Sequence, residues 1–487
     1  MSVFKKFPRT FWVANVMELF ERWAWYGIFA SLAVYMVTPV SQGGLEWSQV
    51  EKSRVISIIT GALYFLPIIT GTLADRIGYK KVLIASYAIM CVGYYSMAYI
   101  TDFWPFVMAF GFMAFGAALF KPVISATISK TTTTENSSIG FGIFYMIVNI
   151  GGFLGPIATM SLIKGDGGWT MMFIASAISI SINIILVLFF FKEPERDENA
   201  AQEPLGELIS KSFKNIFEAL SDIKLTILLV IFVFFWTVFN QIYYTLPNFI
   251  VQWIDTRSII TSVEGFSPWL AEWMTDKNGQ VAFQLFTNMN SLAIILLQLI
   301  ISSAVARMRA INSMISGILV CGVGIGFSML TNNPYYVVVG IIFFSIGEMA
   351  SSPKFTEYVG SLAPNEKKGL YMGTSFLPHF VGNIFAGFIS GDLYEVLSDK
   401  VKLTQKFAAE KGLEISTDLP NDVFFNKVAE SMGMTDAQLT QTLWDTYNPG
   451  SITYIIFALA IFTVTCLFFY DKFLLRPQVK EKEAVSA

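Results

Sequence analysis

Long apolar segments recur along almost the entire chain. A helix needs about 20 mostly apolar residues to cross the hydrocarbon core of a bilayer. With that length as the criterion, the sequence predicts twelve spans, at 11–39, 53–75, 80–100, 104–129, 138–163, 168–191, 223–253, 282–305, 311–331, 334–361, 369–392 and 449–471. Charged residues make up 14% of the chain, against about 25% in soluble domains. We therefore expect an all-α polytopic membrane protein with twelve transmembrane helices in two six-helix bundles.

Polar segments divide this series of spans into domains. Residues 1–191 are predicted to form an N-terminal six-helix bundle and residues 223–471 a C-terminal one. The C-terminal bundle carries an extracytoplasmic insertion at 393–448, and residues 472–487 are expected to be a cytoplasmic tail. The cytoplasmic linker 192–222 is predicted to end in an interfacial helix. Its apolar residues at helical spacing are Leu208, Ile209, Phe213, Ile216, Phe217 and Leu220.

Basic residues concentrate in alternate connecting segments, and an excess of Lys and Arg is typical of cytoplasmic loops. With the N-terminus inside, the inner segments hold Lys5, Lys6, Arg9, Arg76, Lys80, Lys81, Lys130, Lys192, Arg196, Lys211, Lys214, Lys224, Arg307, Arg309, Lys367, Lys368, Lys472, Arg476, Lys480 and Lys482. The short outer loops hold only Lys52, Arg54, Lys164, Arg257 and Lys277. Both termini are therefore predicted to be cytoplasmic, in a multi-pass protein of a prokaryotic inner membrane. The first span is expected to be retained and not cleaved as a signal peptide.

Charged residues lie inside segments that are predicted to cross the membrane. They are Glu18, Glu21, Arg22, Lys121 and Glu348. A charge at the centre of a membrane helix costs at least ~2.5–3.5 kcal/mol, so such residues pair with one another or face a water-filled path. Glu18, Glu21 and Arg22 follow the spacing i, i+3, i+4 and share one helix face. This arrangement favours a proton, ion or substrate pathway, with a buried structural ion network as the alternative interpretation.

Other chemistry finds little support in the sequence. No nucleophile–base set, phosphate-binding glycine loop or metal-ligand spacing is evident. Cys91, Cys321 and Cys466 each lie in an apolar span, and their odd number indicates structural thiols. We expect neither an enzyme nor a metal or other cofactor, and no nucleic-acid partner.

The segment between the second and third spans resembles a known motif. Gly71-Thr-Leu-Ala-Asp75-Arg76-Ile-Gly78-Tyr-Lys80-Lys81 is similar to the inner-loop motif of the major facilitator superfamily. The resemblance implies that superfamily's fold. It says nothing about the substrate.

The first span carries a more specific resemblance. Glu18-Leu-Phe-Glu21-Arg22-Trp-Ala-Trp25-Tyr26 resembles the ExxERFxYY motif of the proton-coupled oligopeptide transporter family within that superfamily. Further similar segments follow in order along both halves of the chain. They are Phe120-Lys121-Pro122, Tyr145…Asn149-Ile-Gly151-Gly152, Asn288-Met-Asn290, Gly347-Glu348…Pro353, Leu362-Ala-Pro364 and Met372-Gly373…Gly382-Asn383…Ala386-Gly387.

The resemblance implies roles for the matching residues. Glu18, Glu21 and Glu348 would be proton-linked carboxylates, with protons as the coupling ion. Arg22 and Lys121 would hold the substrate carboxylate, and Glu348 the substrate amino group. The remaining substrate-binding residues would be Tyr26, Tyr64, Asn149, Asn240 and Asn290. A zwitterion needs such opposite poles in a cavity near the membrane midplane.

Several positions depart from the family pattern. Trp25 replaces the first motif tyrosine. By spacing, the arginine and the acid of the family's outer gate correspond to Phe29 and Asn240, so both charges are absent together, and the gate is expected to close by packing or neutral hydrogen bonds. The tryptophan expected after Met372-Gly373 is absent near Ser375. His379, the single histidine, is interpreted either as a structural group or as a proton relay.

Three functional hypotheses remain open. The leading one is a proton-coupled symporter that imports di- and tripeptides by alternating access, with a monomer sufficient for function. A second keeps the fold and the coupling but takes another small zwitterion or anion, such as an amino acid or a peptide-like metabolite. A third is a receptor or structural membrane protein that transports nothing, which the costly charges of the first span disfavour.

Overall fold

The computed structural model describes residues 7–133, 136–165, 167–194, 204–364 and 367–475. The described residues are helical and contain no β-strand, only an isolated bridge between Thr275 and Val281. In chain order the α-helices are α1 Arg9–Val37, α2 Gln49–Phe65, α3 Pro67–Ile77, α4 Tyr79–Met97, α5 Phe103–Lys130, α6 Ser137–Lys164, α7 Gly168–Phe189, α8 Leu205–Leu220, α9 Ile223–Phe239, α10 Gln241–Tyr244, α11 Leu246–Trp253, α12 Arg257–Glu264, α13 Pro268–Met274, α14 Phe283–Val305, α15 Ala310–Met329, α16 Pro334–Leu362, α17 Lys368–Thr374, α18 Leu377–Phe388, α19 Tyr394–Leu397, α20 Lys400–Glu410, α21 Asn421–Ser431, α22 Asp436–Tyr447 and α23 Ile452–Tyr470. Two π-helical segments, Ile389–Leu393 and Asp471–Leu475, follow α18 and α23.

Eight helical segments of the described residues are long and apolar enough to cross a membrane. They are Phe103–Lys130, Ile139–Lys164, Gly168–Phe189, Ile223–Trp253, Phe283–Val305, Ala310–Met329, Pro334–Leu362 and Pro449–Leu475. These helices confirm the predicted all-α polytopic membrane fold. The other four predicted spans fall on α1, α2 with α3, α4, and α17 with α18, so the count of twelve stays a prediction.

Two of these four predicted spans are divided into separate helices, and a third contains charged residues. Pro67 begins α3 and divides the predicted span 53–75, because proline lacks an N–H and clashes with the preceding turn of a helix. The span predicted at 369–392 is likewise divided between α17, α18 and the π-helical segment Ile389–Leu393. α1 is a continuous helix of 29 residues, but Glu18, Glu21 and Arg22 lower its apolar character.

The chain forms two compact units, and each contains segments from distant parts of the sequence. The first unit comprises residues 1–30, 59–226 and 362–380. The second comprises residues 31–58, 227–361 and 381–487. Both α1 and α2 therefore contribute one end to each unit. The division into successive bundles, 1–191 and 223–471, stays a prediction.

The second unit includes the helices of the 393–448 insertion. α20, α21 and α22 bury a small apolar core of their own. α22 begins with a capping box, in which the Thr435 hydroxyl accepts from the Gln438 amide and the Gln438 side chain accepts in return from the Thr435 amide. The core residues are Leu403, Phe407, Phe424, Val428, Leu439 and Leu443.

The linker contains the predicted amphipathic helix, α8, in the first unit. Lys367 Nζ lies 2.6 Å from Glu218 Oε1, and the Tyr371 hydroxyl donates to Asp222 Oδ2 at 2.7 Å. The start and the middle of helix α17 therefore bond the end of the linker. Phe217 remains 71% exposed, as expected of a side chain at an interface. The predicted basic residues Lys5, Lys6, Arg196, Arg476, Lys480 and Lys482, and the tail beyond residue 475, lie outside the described residues.

Candidate functional site

The charged residues of α1 form one buried cluster in the first unit. Arg22 Nε donates to Glu21 Oε2 at 2.6 Å and lies 3.3 Å from Glu18 Oε1. Glu18 is 6% exposed, Glu21 0% and Arg22 9%. One guanidinium therefore pairs directly with two buried carboxylates, which offsets the cost of their burial. The spacing i, i+3, i+4 correctly predicted this shared face of α1.

Glycines of α6 allow α1 to pack closely behind this cluster. A Cβ added at Gly151 would lie 2.7 Å from Arg22 Cβ, and one at Gly155 would lie 2.4 Å from the carbonyl oxygen of Trp23. Any side chain at either position would push the two helices apart. Gly151 and Gly155 are four residues apart, the small-residue spacing that permits close helix contact in membranes. The backbone of α6 thus determines where Arg22 can lie.

Aromatic rings and a second cation complete the site in the first unit. The Arg22 guanidinium lies 5.7 Å from the ring centre of Tyr26, and Lys121 Nζ lies 5.4 Å from that of Tyr64. Lys121 interacts electrostatically with Arg22 and with both glutamates of the cluster. The His379 ring stacks on Tyr64 with centroids 4.8 Å apart and an interplanar angle of 16°. The structure therefore brings together Glu18, Glu21, Arg22, Tyr26, Tyr64 and Lys121, with His379 as an additional member.

The predicted anionic residue lies in the second unit, on α16. Asn290 Nδ2 on α14 donates to Glu348 Oε2 at 2.9 Å, and the Ser345 hydroxyl donates to Asn290 Oδ1 at 2.6 Å. Gly347, next to Glu348, faces α15 so closely that a Cβ would lie 2.3 Å from the Cys321 amide nitrogen. The carboxylate is thus held by a fixed neutral amide. Asn290 thus lies beside Glu348, and its role toward a substrate stays a prediction.

The two remaining predicted asparagines occupy different local positions. Asn149 Nδ2 donates to the Tyr145 carbonyl at 2.8 Å, one turn earlier on its own helix α6. Asn240 lies between α9 and α10, where its carbonyl accepts from the Tyr244 amide at 3.0 Å. Trp25, which replaces the motif tyrosine, stacks on Phe29 with centroids 5.0 Å apart. The roles of Asn149 and Asn240 toward a substrate stay predictions.

Two tyrosines of α4 were not predicted as site residues. Tyr87 and Tyr94 are fully buried, and both interact electrostatically with Glu21. Their hydroxyls and Glu21 Oε1 have no hydrogen-bond partner among the residues that the structure describes. The seven-residue spacing of the two tyrosines places them on one face of α4. That spacing was the available signal, but nothing in the sequence indicated that the face turns toward α1.

Within the described ranges, no group of three or more His, Cys, Asp or Glu side chains could hold a metal ion. The three cysteines are free thiols, and Cys321 is buried. The cluster in the first unit consists of two carboxylates, two cations and an imidazole, and the cluster in the second unit of a carboxylate and a neutral amide. Such groups bind and release protons and charged solutes.

Helices of membrane-crossing length with paired charges inside them define a polytopic membrane transport protein. The chain belongs to the major facilitator superfamily, whose family model matches residues 15–254 and 258–400. It therefore belongs to a family of membrane carriers and not of enzymes.

Curated relatives include several peptide transporters. Dipeptide and tripeptide permease A of Pectobacterium carotovorum is 28% identical over 39% of this chain and 37% of its own length. Peptide transporter YePEPT of Yersinia enterocolitica is 24% identical over 77% of this chain and 86% of its own length. The first relatives are thus matched over little more than a third of their length.

Solved structures of similar fold cover almost the whole chain. A peptide transporter POT in complex with sulfate superposes with a TM-score of 0.66, 16% identity and coverage of 96% of this chain and 95% of the other. A POT family transporter in complex with 5-aminolevulinic acid superposes with a TM-score of 0.65 and 17% identity, and the match covers 96% of each chain. Tetrameric PepTSo2 superposes with a TM-score of 0.65 and 18% identity, and the match covers 97% of this chain and 99% of the other. These likenesses confirm the major facilitator fold, and with the curated relatives they confirm the predicted resemblance to the oligopeptide transporter family.

Proposed function

We propose that this chain is a proton-coupled symporter that imports di- and tripeptides by alternating access. The observation that carries the proposal is the single guanidinium of Arg22 shared between the buried carboxylates Glu18 and Glu21. A proton on either carboxylate removes its charge and weakens its attraction to Arg22. The guanidinium can then bind another carboxylate. Peptide relatives of similar length and fold support peptide as the solute.

Arg22 and Lys121 would bind the carboxylate of the peptide. Arg22 is the stronger partner because its planar guanidinium binds a carboxylate through two parallel hydrogen bonds. Lys121 is a point charge above the Tyr64 ring, and an amine of this kind offers three rotatable donors to a solute. Proton binding and peptide binding would therefore compete for the same cation, which couples one to the other.

Glu348 would bind the amino group of the peptide. Asn290 holds one carboxylate oxygen, and Ser345 in turn holds Asn290. Because a fixed amide orients the carboxylate, little side-chain entropy is lost when a cation binds. We expect Glu348→Ala to weaken transport of peptides with a free amino terminus more than that of N-acetylated peptides. Equal losses for both classes would contradict this role.

The test of the function is uptake of labelled dialanine into proteoliposomes under an inward proton gradient. The expected result is accumulation that an uncoupler abolishes and that Glu21→Gln and Lys121→Ala eliminate, while both variants remain folded. Lys130→Ala, the same change at the end of the same helix α5, is the matched control and is expected to retain uptake. Normal accumulation by Glu21→Gln or Lys121→Ala would refute the proposed coupling.

A departure from the family motif in the first span favours a second substrate class, another small zwitterion. Trp25 stacks on Phe29 where the related motif has a tyrosine hydroxyl, so this part of α1 presents an apolar surface. One structural neighbour binds 5-aminolevulinic acid, a small zwitterion. Competition of unlabelled amino acids and small zwitterions with dialanine separates the two possibilities: inhibition by dipeptides alone supports a peptide carrier. Absence of dialanine uptake with uptake of another zwitterion would favour the second class.

We also propose a membrane, an orientation and an oligomeric state for the carrier. The termini would be cytoplasmic, in a prokaryotic inner membrane, because the basic residues cluster in alternate segments. A monomer would suffice, since each predicted binding residue belongs to the one chain. Protease or thiol access to tagged termini in sealed vesicles of known orientation would check the topology.

A further inference from the structure

A groove lies between the first turns of α1 and the last turn of α7, both in the first unit. Its volume is about 440 Å³. Trp12, Val13 and Val16 line it from α1, and Leu186 and Phe190 line it from the end of α7. Of these five side chains only the indole of Trp12 carries a polar atom. The groove therefore offers an apolar surface that starts at the ends of two neighbouring helices and runs along them.

Basic residues lie at the end of the groove where α1 begins and α7 ends. Arg9 lines the groove, and its guanidinium lies 5.2 Å from the centre of the Phe190 ring. The Thr10 hydroxyl donates to the backbone carbonyl of Lys192 at 3.1 Å, which brings Lys192 to the start of α1. Both cations are exposed, and no carboxylate of the described residues forms an ion pair with either. The groove thus combines a cationic end with an apolar body.

Aromatic rings hold the start of α1 beside the groove. Phe7 stacks on Phe11 with ring centres 4.3 Å apart, and Trp12 contacts the Phe11 ring edge-on at 5.2 Å. Phe7 and Phe11 are buried, whereas Trp12 is partly exposed. Tryptophan is enriched where membrane helices meet the lipid headgroups, because its ring is apolar and its N–H is polar. We therefore expect the cationic end of the groove to lie at the level of the headgroups.

An anionic phospholipid matches the order of these groups along the groove. Arg9 and Val16 are seven residues apart on α1, so about 10 Å of helix separates the cationic end from the far end of the apolar wall. A phosphate near Arg9 and Lys192 would let an acyl chain continue along this wall toward the middle of the bilayer. Basic pockets between membrane helices bind anionic headgroups in this way. A zwitterionic headgroup is disfavoured, because its own cation would approach the two cations of the protein.

We propose that this groove binds one anionic phospholipid, whose phosphate lies between Arg9 and Lys192 and whose acyl chain occupies the apolar wall. The inference goes beyond the proposed transport, because it depends on the membrane fold and on no property of the solute. Further along the same two helices, Asn183 Nδ2 on α7 donates to the Met17 carbonyl of α1 at 2.9 Å. The lipid would extend this contact between α1 and α7 to the surface of the membrane.

Native mass spectrometry of the full chain in detergent tests the proposal, because it measures the affinity of the first lipid that binds. The probes are anionic dioleoylphosphatidylglycerol and zwitterionic dioleoylphosphatidylcholine, which have the same acyl chains. We expect the parent to bind phosphatidylglycerol more tightly than phosphatidylcholine. Because each basic residue near an anionic lipid contributes about fivefold in affinity, Arg9→Gln with Lys192→Gln should weaken phosphatidylglycerol binding roughly 25-fold. Binding of phosphatidylcholine should stay unchanged.

The matched control is Lys472→Gln, which removes an exposed cation beside an aromatic ring elsewhere in the chain. Lys472 Nζ lies 5.6 Å from the centre of the Phe473 ring, after the last helix of the second unit. Its replacement should change the affinity for neither lipid. Equal affinities of the parent for the two lipids would refute the proposal. A double variant that binds phosphatidylglycerol as tightly as the Lys472→Gln variant does would refute it as well.

Val16→Trp tests the apolar wall while both cations remain. Val16 is 39% exposed, so the larger ring fills the groove without entering the core. Each buried methylene group of an acyl chain contributes about fourfold in affinity, so phosphatidylglycerol binding should fall at least about fourfold. Unchanged binding would refute the proposed place of the chain. If the double variant does not fold, as judged by its unfolding midpoint without added lipid, Val16→Trp decides the question alone.

Glycerol phosphate distinguishes a lipid from a free phosphate compound. It carries the phosphate without acyl chains, and we expect it not to displace phosphatidylglycerol at equal concentration. Displacement would show that the cations bind a soluble phosphate compound, and the lipid site would be refuted. Failure of dialanine uptake would leave all these results unchanged, because lipid binding is measured without a solute.

Discussion

Arg22 and Lys52 are both buried cations, but the groups in direct contact with them differ in charge. Arg22 contacts two carboxylates of its own helix, at 2.6 Å and 3.3 Å. Lys52 contacts an amide oxygen and two backbone carbonyls, and no carboxylate of the described residues lies within ion-pair distance of it. Removal of Arg22 breaks two direct ion pairs with buried carboxylates, whereas removal of Lys52 breaks hydrogen bonds to neutral oxygens and takes away an attractive charge near Asp399 and Glu395. The first arrangement suits competition between a proton and the cation, and the second ties α2 to distant segments of its own unit.

The largest expected effect is that of Arg22→Met. The change leaves Glu18 and Glu21 buried without their cation, and breaking a buried pair from one side costs ~3–5 kcal/mol. We expect a large fall in the thermal unfolding midpoint in detergent micelles at neutral pH. Glu21→Gln on the same background should recover part of the loss, since one uncompensated charge disappears. A midpoint within error of the parent would mean that the cluster bears no buried charge.

The next effect concerns the packing that positions Arg22. Gly151→Ala places a Cβ 2.7 Å from Arg22 Cβ, an overpacking that costs ~1–3 kcal/mol. Gly142→Ala on the same helix α6 is the matched control, because a Cβ there meets nothing within 4 Å. We expect the first variant to lose both unfolding temperature and dialanine uptake, and the second to lose neither. Equal behaviour of the two variants would show that the close approach of α1 and α6 is unimportant.

A smaller effect is expected from Lys52→Met. The substitution removes the ammonium together with its cost of burial. It also removes the hydrogen bonds to the carbonyl groups, and the net loss of stability from a lost hydrogen bond is about 1 kcal/mol. The unfolding midpoint should therefore fall much less than in Arg22→Met, measured in the same detergent. A fall as large as that of Arg22→Met would break the comparison. It would indicate that Asp399, which Gln49 contacts at 3.0 Å, acts as a counter-charge through that amide.

The same contrast explains what the sequence could predict. Glu18, Glu21 and Arg22 lie within one turn of a single helix, so helical geometry alone brought them together. The superfamily fold followed from apolar length and ordered motifs. Two of the three partners of Lys52 are backbone carbonyls about 190 and 340 residues away along the chain, at positions 244 and 390. No residue pattern identifies a backbone acceptor, so the sequence predicted Lys52 to be a residue of an outer loop.

The sequence also did not predict where the spans are divided. A proline marks the division at Pro67, but the π-helical segment Ile389–Leu393 has no comparable signal in the sequence. Tyr87 and Tyr94 looked like ordinary core residues, because a face of α4 does not reveal which helix it will meet. What remained hidden in each case was a contact between elements distant in the chain.

The smallest expected effect is that of an exposed ion pair, Asp255 with Arg257, just beyond the span that ends at Trp253. Arg257 Nε donates to Asp255 Oδ1 at 2.9 Å, and the guanidinium lowers the pKa of the carboxyl from 3.8 to about 2. A lowered pKa stabilises the folded state above the unfolded value near 4, and this contribution is lost as the pH falls toward 2. Both side chains are more than half exposed, so solvent screens the pair. We therefore expect Asp255→Asn to leave the unfolding midpoint unchanged within error between pH 5 and 8, where Arg22→Met lowers it throughout. A large fall at pH 7 would show that burial is not what separates strong pairs from weak ones in this molecule.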